Sequence, residues 1–372
     1  MRIHQPEEYE EEEMIKEAII KVISGKDLSE TDIEKTMALI LDGKVASSQV
    51  GAFVTAMRMK GESIDEIAGA GRALRKRGVK LALDNHLVSF GRDDIHVERE
   101  TVLTTTDSGV KGTSTFNVST ATMFVVSGGG VKVARHGNRS ISRFFGAGDV
   151  LEKLGINLDI SNSDMEKCIN EVGIGFIFQP LLTGPMKHVG EFRAEMGIRT
   201  IFNLISPLID PAGAATHVIG VYNASLTHTM AHVLSKLGAT SAFVVHGDKT
   251  FDEISICGST TISHLKEGQV ETRVIQPEAY GFKRAGIEAI SGGDARKNAQ
   301  VISRVLDGEQ GPRRDIVVLN AAAAFVAAGR DIRIKDGVLR AARVIDSGAA
   351  RKKLDDLVEF TAQCRPFVRK EL

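Results

Sequence analysis

The chain has 372 residues, 47 basic and 48 acidic, so its formal net charge is −1. It is 42% hydrophobic, 26% charged and only 5% aromatic, a composition that excludes disordered and collagen-like chains. Balanced charge argues against a surface built wholly to grip nucleic acid or anionic lipid, and no apolar run approaches the roughly 18 residues of a membrane span. At about 150 residues per domain the length points to two domains with a sizeable core. The acidic N-terminus lacks the pattern of a signal peptide. Three cysteines, Cys168, Cys257 and Cys364, are too few and too scattered for a disulfide framework or a zinc site. The expected compartment is the cytoplasm. Glycine is enriched, at 37 residues against a usual share near 7%, which points to backbone-lined loops.

The elements read as follows in chain order. Pro6 to Met14 is an acidic run that suits a solvated helix start. From Met14 to about Lys80 the apolar spacing is helical, with Ile15, Ile19, Val22 and Ile23, then Ile33, Met37, Ile40 and Leu41. Val50, Phe53, Val54 and Met57 mark a third helix, and Ile64 to Leu74 a fourth. The basic run Arg72 to Lys80 closes that helix with cations at its negative pole, or touches nucleic acid. After Leu83 strand-like runs alternate with helices. The strands are read at Thr101 to Thr105, Lys132 to Arg135, Val218 to Tyr222 and Ala242 to His246. The helices are read at Thr227 to Leu237, Ala295 to Leu306 and Ile316 to Gly329. Asp164 to Ser206 reads as helix, loop and second short helix. The fold class is therefore α/β, a sheet with helices on its faces, beside a small N-terminal helical domain.

Three glycine-containing loops follow strands. The first, Thr106 to Thr120, leads into a helix start bearing Asn117, Ser119 and Thr120. That arrangement gathers donors around an anion, although it is neither a Walker loop nor a dinucleotide fingerprint, and simple capping explains it as well. The second runs Val133-Ala-Arg-His-Gly-Asn-Arg-Ser-Ile-Ser-Arg143, bringing Arg135, Arg139, Arg143, His136 and Asn138 within nine residues, a pattern that suits phosphate oxygens. The third, from His246 to Ile256, carries the adjacent carboxylates Asp252 and Glu253, which suit Mg2+ shared with substrate phosphates. His136, His188 and His246 lack metal-ligand spacing, and no nucleophile elbow is present.

Taken together these loops resemble the anthranilate phosphoribosyltransferase family over nearly the whole chain. The resemblance rests on Gln49-Val-Gly-Ala-Phe, Arg58-Met-Lys-Gly-Glu62, Thr115-Phe-Asn-Val-Ser-Thr120 and His136-Gly-Asn-Arg-Ser140. It continues through Gly148-Asp-Val-Leu-Glu152, Gly173-Ile-Gly-Phe176, Gly197-Ile-Arg-Thr-Ile-Phe-Asn203, Asp252-Glu253, Gly292-Gly-Asp294, Arg314-Asp and Leu319-Asn-Ala-Ala. It implies the nucleoside phosphorylase/phosphoribosyltransferase type of fold. A helical domain of residues 1–84, joined by roughly 164–206, would stand beside an α/β domain of 85–372 with a central, mostly parallel sheet. It implies transfer of phosphoribosyl from phosphoribosyl pyrophosphate to the amine of anthranilate, in tryptophan synthesis, by a homodimer formed through the helical part. No residue is assigned a covalent catalytic role. The resemblance implies donor contacts from Gly109, Lys111, Thr115, Asn117, Ser119, Thr120, Arg135, Gly137, Asn138, Arg139, Ser140 and Arg143. It implies acceptor contacts from His136, Asn138 and Arg193, and Mg2+ held by Ser119, Asp252 and Glu253.

The departures gather at the donor loop, which reads Asp107-Ser-Gly-Val-Lys111 where the family has Gly-Thr-Gly-Gly-Asp. Lys111 and Arg143 add positive charge, whereas Asp107 repels an anion and Val110 obstructs backbone approach. A Lys111–Asp107 pair closing the pocket is a further reading. Arg135 stands where the family has lysine, Thr183-Gly-Pro-Met-Lys187 replaces His-Pro-Ala-Met-Lys, and Ser206 replaces a glycine. Two alternatives follow: a relative with another aromatic or nucleobase acceptor, and an idle relative that binds nucleic acid or a regulatory partner. Balanced charge weighs against nucleic acid.

Overall fold

The computed structural model describes residues 6–83, 87–92, 115–137, 146–178, 187–250 and 252–365. Four helices open the chain: α1 Pro6–Ile23, α2 Glu30–Leu41, α3 Ser47–Lys60 and α4 Ile64–Arg77. Local chemistry starts them where it should. Ser29 accepts the N–H of Asp32 at 3.1 Å to cap α2. Ser63 and Glu66 form a reciprocal capping box on α4. Their apolar stripes bury Ile33, Met37, Phe53, Val54, Met57 and Ile67 completely.

Then come β1 Val88–Arg92, α5 Val118–Gly128, β2 Val133–Gly137, α6 Ala147–Lys153, α7 Asn162–Glu171 and β3 Ile174–Phe178. They are followed by α8 Lys187–Met196, α9 Ile201–Ile205, β4 Thr216–Gly220, α10 Ser225–Lys236 and β5 Ser241–Gly247. The rest is the hairpin β6 Thr260–Lys266 and β7 Gln269–Ile275, then α11 Ala295–Leu306, α12 Pro312–Ala327, α13 Ile334–Asp346 and α14 Ala349–Gln363. The seven strands form one sheet in the order β3-β2-β1-β4-β5-β6-β7. The first five run parallel, and β6 and β7 are antiparallel. Register is continuous across the middle, with Phe90 opposite both Arg135 and Val218.

Alternation along the strands divides the core in two. Phe243 and Val245 of β5 face a layer built from α5, α11, α12 and α14, together with Phe116, Phe124, Ile254 and Phe325. Ala242 and Val244 point the other way, into a core shared with α10 and the N-terminal helices. The helical part is thus sealed onto the back of the sheet by one continuous apolar cluster.

Two sequence expectations change. The sheet begins at β1, Val88–Arg92, which the reading from Thr101 onward passes over, while Thr101 to Thr105 lies outside the described residues. The stretch from Asp164 to Ser206 holds a strand, β3, between its helices. Ile174-Gly-Phe-Ile-Phe is only five residues long, too short for its period to declare itself against a buried loop. α7 and β3 pack with the sheet, whereas Val189, Ile201, Phe202 and Ile205 pack among the N-terminal helices. Among the described residues, no helix is long and apolar enough to cross a membrane.

Candidate active site

In the strand order, β2 and β3 lie on one side of β1, and β4 and β5 on the other. The chain therefore reverses its winding between β1 and β4, and ligands of open parallel sheets bind outside the carboxyl ends at such a point. Two groups of residues named from the sequence lie along that edge.

The first surrounds the start of α5. Thr115 forms an isolated bridge with Ser291, and Phe116 N–H donates to Ile290 O at 3.1 Å, so the approach to the helix is pinned to the Gly292-Gly-Asp segment. Asn298 of α11 donates to Asn117 Oδ1 at 2.9 Å while accepting Gly293 N–H at 2.8 Å. Arg135 of β2, only 3% exposed, donates Nη1 to Thr120 Oγ1 at 2.8 Å and Nη2 to Ser119 Oγ at 3.0 Å. Each hydroxyl oxygen accepts from the guanidinium, so its own proton is directed away from that cation. The start of a helix then adds its positive end.

The second is the loop from Asp248 to Ser259, after β5. Glu253 is buried and Asp252 half-buried. Glycine makes their placement possible. A Cβ on Gly220, at the end of β4, would stand 1.9 Å from the Asp252 carbonyl oxygen. One on Gly247, at the end of β5, would stand 2.2 Å from that of Glu253. The two strand ends form a bare shelf for this backbone. From the other side Asn320 of α12 accepts Ile254 N–H at 2.9 Å and donates to Ile254 O at 2.9 Å. Ser255 Oγ donates to Asp248 O at 2.8 Å, closing the loop on itself. α12 also packs on α5, so one helix supports both groups. Adjacent carboxylates on a fixed shelf fit a small hard cation that keeps water and phosphate oxygens as its other ligands. Among the described residues, no cluster of three or more His, Cys, Asp or Glu side chains offers a closed metal cage.

Arg193 of α8 is half-buried, its guanidinium carbon 5.9 Å from the Phe202 ring centre. Nearby in sequence, buried Arg199 stacks at 3.6 Å over Tyr222, just beyond β4. His136 and Gly137 end β2, with backbone opposite Ile177 and Phe178. Gly109, Lys111, Asn138, Arg139, Ser140 and Arg143 lie outside the described residues, as do Asp107, Val110 and Thr183.

Residues 100–351 match the model of the glycosyl transferase family a/b domain, and residues 16–78 that of its helical bundle domain. Anthranilate phosphoribosyltransferase of Geotalea uraniireducens (strain Rf4) is 48% identical over 94% of this chain and 99% of its own. The chain belongs to the anthranilate phosphoribosyltransferase family. The family enzyme of Trichlorobacter lovleyi is 47% identical over 94% of this chain and 100% of its own. Among solved structures, anthranilate phosphoribosyltransferase from Thermus thermophilus superposes with a TM-score of 0.83 at 34% identity, covering 93% of this chain and 99% of that one. The Saccharomyces cerevisiae family member, solved in complex with PRPP and Mg, shares the fold with a TM-score of 0.79 at 24% identity, over 94% and 98%.

Within this family member, Asn298 and Asn320 are the positioning residues that sequence reasoning missed. Both sit in stretches that carry the resemblance or adjoin them, Gly292-Gly-Asp294 and Leu319-Asn-Ala-Ala, but their partners lie 181 and 66 residues away. The basic run after Arg72 is committed internally. Arg72 pairs with Glu30, Lys76 with Glu34, and Arg77 holds Asp42 through two bonds of 2.6 and 2.7 Å. Burial pushes the Cys168 thiol up to about 12 and raises that of Cys257, so neither is a nucleophile near neutral pH.

Proposed function

We propose that this chain moves the phosphoribosyl group of phosphoribosyl pyrophosphate to the amine of anthranilate and releases pyrophosphate. The observation that carries the reading is 48% identity to an anthranilate phosphoribosyltransferase across 94% of the chain, with Asp252 and Glu253 standing on the glycine shelf. In this reading Asn117, Ser119, Thr120 and Arg135 hold the donor. Lys111, Arg139, Ser140 and Arg143 reach its phosphates, and Arg193, Asn138 and His136 receive the acceptor. Ser119, Asp252 and Glu253 would hold Mg2+, which when bound offsets charge on the departing pyrophosphate.

The ribose carbon becomes electron-poor as its bond to pyrophosphate lengthens, and the acceptor amine enters on that carbon. The protein supplies donors to the leaving anion and fixes the amine in line, with no covalent intermediate. Ser119 and Thr120 suit the first task because each oxygen accepts from Arg135, which turns the hydroxyl proton away from that cation and leaves Ser119 Oγ a second lone pair for Mg2+. Arg193 suits the second, as a forked cation for a carboxylate.

We further infer a two-domain division, the helical domain of 1–84 with α8 and α9 packed on it and the α/β domain over 85–372. Exposed Ile20, Ile23 and Met59 on the packed pair α1 and α3 support a homodimer through the helical part. A cytoplasmic location agrees with three free cysteines among the described residues. The test is loss of anthranilate fluorescence with donor and Mg2+ present. Consumption matched mole for mole by pyrophosphate release is expected, and no consumption at millimolar donor overturns the reading. Turnover of another aromatic amine in place of anthranilate overturns the acceptor assignment alone.

A further inference from the structure

His228 and His232 stand one turn apart on α10, on the same face, with Nε2 atoms 3.1 Å from each other and ring centres 4.5 Å apart. His228 is anchored from behind. Its Nδ1 lies 3.2 Å from Thr272 Oγ1 on β7, and that hydroxyl lies 2.8 Å from Ser263 Oγ on β6. With His228 Nδ1–H donating to Thr272 and Thr272 donating to Ser263, the Nε2 lone pair of His228 faces His232. Such an outer partner is what orients and fixes the tautomer of a metal-binding imidazole. His232 also lines an open cleft of about 440 Å3 with Asp27, Ser63 and Asp65 of the helical part, so water has room around the pair.

We propose that His228 and His232 form a surface site for a borderline divalent transition-metal ion such as Zn2+, with water completing its coordination. The separation of the two nitrogens approaches that between neighbouring ligands on one ion, given metal–nitrogen bonds of about 2.0–2.1 Å. Two imidazoles select Zn2+, Ni2+ or Cu2+ over Mg2+, which prefers oxygen. Binding through both Nε2 atoms requires the His232 proton to sit on Nδ1 instead of Nε2. The site belongs to neither group of residues at the sheet edge and is independent of phosphoribosyl transfer. It straddles the seam where α10 meets both the β6–β7 hairpin and the helical part.

The untagged full-length chain is titrated with Zn2+ in excess Mg2+, which occupies oxygen sites, and compared with His228→Gln/His232→Gln and Thr272→Val. The double variant is expected to lose one equivalent of bound Zn2+, and Thr272→Val to bind that equivalent about tenfold more weakly. Zn2+ is expected to raise the melting temperature of the parent chain more than that of the double variant. Activity without Zn2+ should match in all three proteins. Equal stoichiometry and affinity in parent and double variant overturn the site, as does an equal rise in melting temperature.

Discussion

Asn320 bonds only to backbone groups in the hydrogen bonds seen among the described residues, yet it fixes where two carboxylates sit. Its amide takes both backbone bonds of Ile254, at 2.9 Å each, and adds a third to Ile316 O at 2.8 Å. Asn320→Ala leaves a buried N–H and a buried C=O unsatisfied, each costing about 1–3 kcal/mol. We expect a lower urea midpoint and, at temperatures where the variant stays folded, a several-fold higher Mg2+ requirement. A loss of stability with an unaltered Mg2+ profile would reduce Asn320 to a packing residue. Arg135 makes the complementary point at the start of α5. A lysine there keeps one positive charge but cannot reach both Ser119 and Thr120 in the forked geometry observed. Arg135→Lys should therefore raise KM for the donor more than it lowers kcat, and steady-state kinetics with varied donor separates the two. A fall in kcat at unchanged KM would place Arg135 outside donor binding.

At the scale of elements, the ends of β4 and β5 act as one device. Gly220 and Gly247 let the loop bearing Asp252 and Glu253 lie directly on the strand termini. Gly220→Ala requires this backbone to shift, and a displacement near 1 Å in a site of this kind costs about a hundredfold in kcat/KM. Unchanged circular dichroism with that loss is the expected result, whereas near-normal activity would show that the shelf tolerates a methyl group. Such a device is only half-visible in a sequence. The helices were legible because Ile33, Met37, Ile40 and Leu41, or Val50, Phe53, Val54 and Met57, repeat on one face over successive turns. The Asp252-Glu253 pair stood out in the sequence as adjacent carboxylates. β3 was not, since five apolar residues have no distinguishing period, and the glycine shelf was not, because the clash that demands glycine at Gly220 comes from Asp252, far along the chain. α4 shows what local chemistry does fix. Glu66, wholly buried, accepts Ser63 N–H at 2.8 Å, Leu28 N–H at 2.9 Å and Lys60 Nζ at 2.8 Å. Glu66→Ala takes the acceptor from the N–H groups of Ser63 and Leu28 and leaves Lys60 to Asp27 and Gly61 O; at about 1–3 kcal/mol for each unsatisfied buried donor, it should lower stability measurably in urea denaturation.

The whole molecule depends on the seam between the helical part and the sheet. One apolar cluster crosses it, and Arg75 of α4 reaches over to donate to Leu208 O at 2.7 Å and Leu237 O at 3.1 Å. Beside that bridge lies Asp210, in the turn before β4, its side chain buried and its charge drawn on by Arg75 and by the backbone N–H groups of Ala214, Ala212 and Gly213. His217 Nε2 is 3.9 Å away. Burial pushes the Asp210 carboxyl up to about 6 from an ordinary 3.8, against the pull of Arg75 and the backbone donors. Because the folded state holds this proton more tightly than the unfolded one, the contribution to stability is complete below the ordinary value. It is lost as pH rises toward 6. The full difference corresponds to about 3 kcal/mol. Asp210→Asn removes the titration while keeping an acceptor oxygen for the turn. Urea denaturation of both proteins between about pH 4 and pH 7 should show the parent losing stability relative to the variant across that window, with the curves parallel beyond it. Profiles that stay parallel throughout would mean that Arg75 and the three N–H groups hold the carboxylate ionised in the fold, and that the seam carries its charge at no cost in stability.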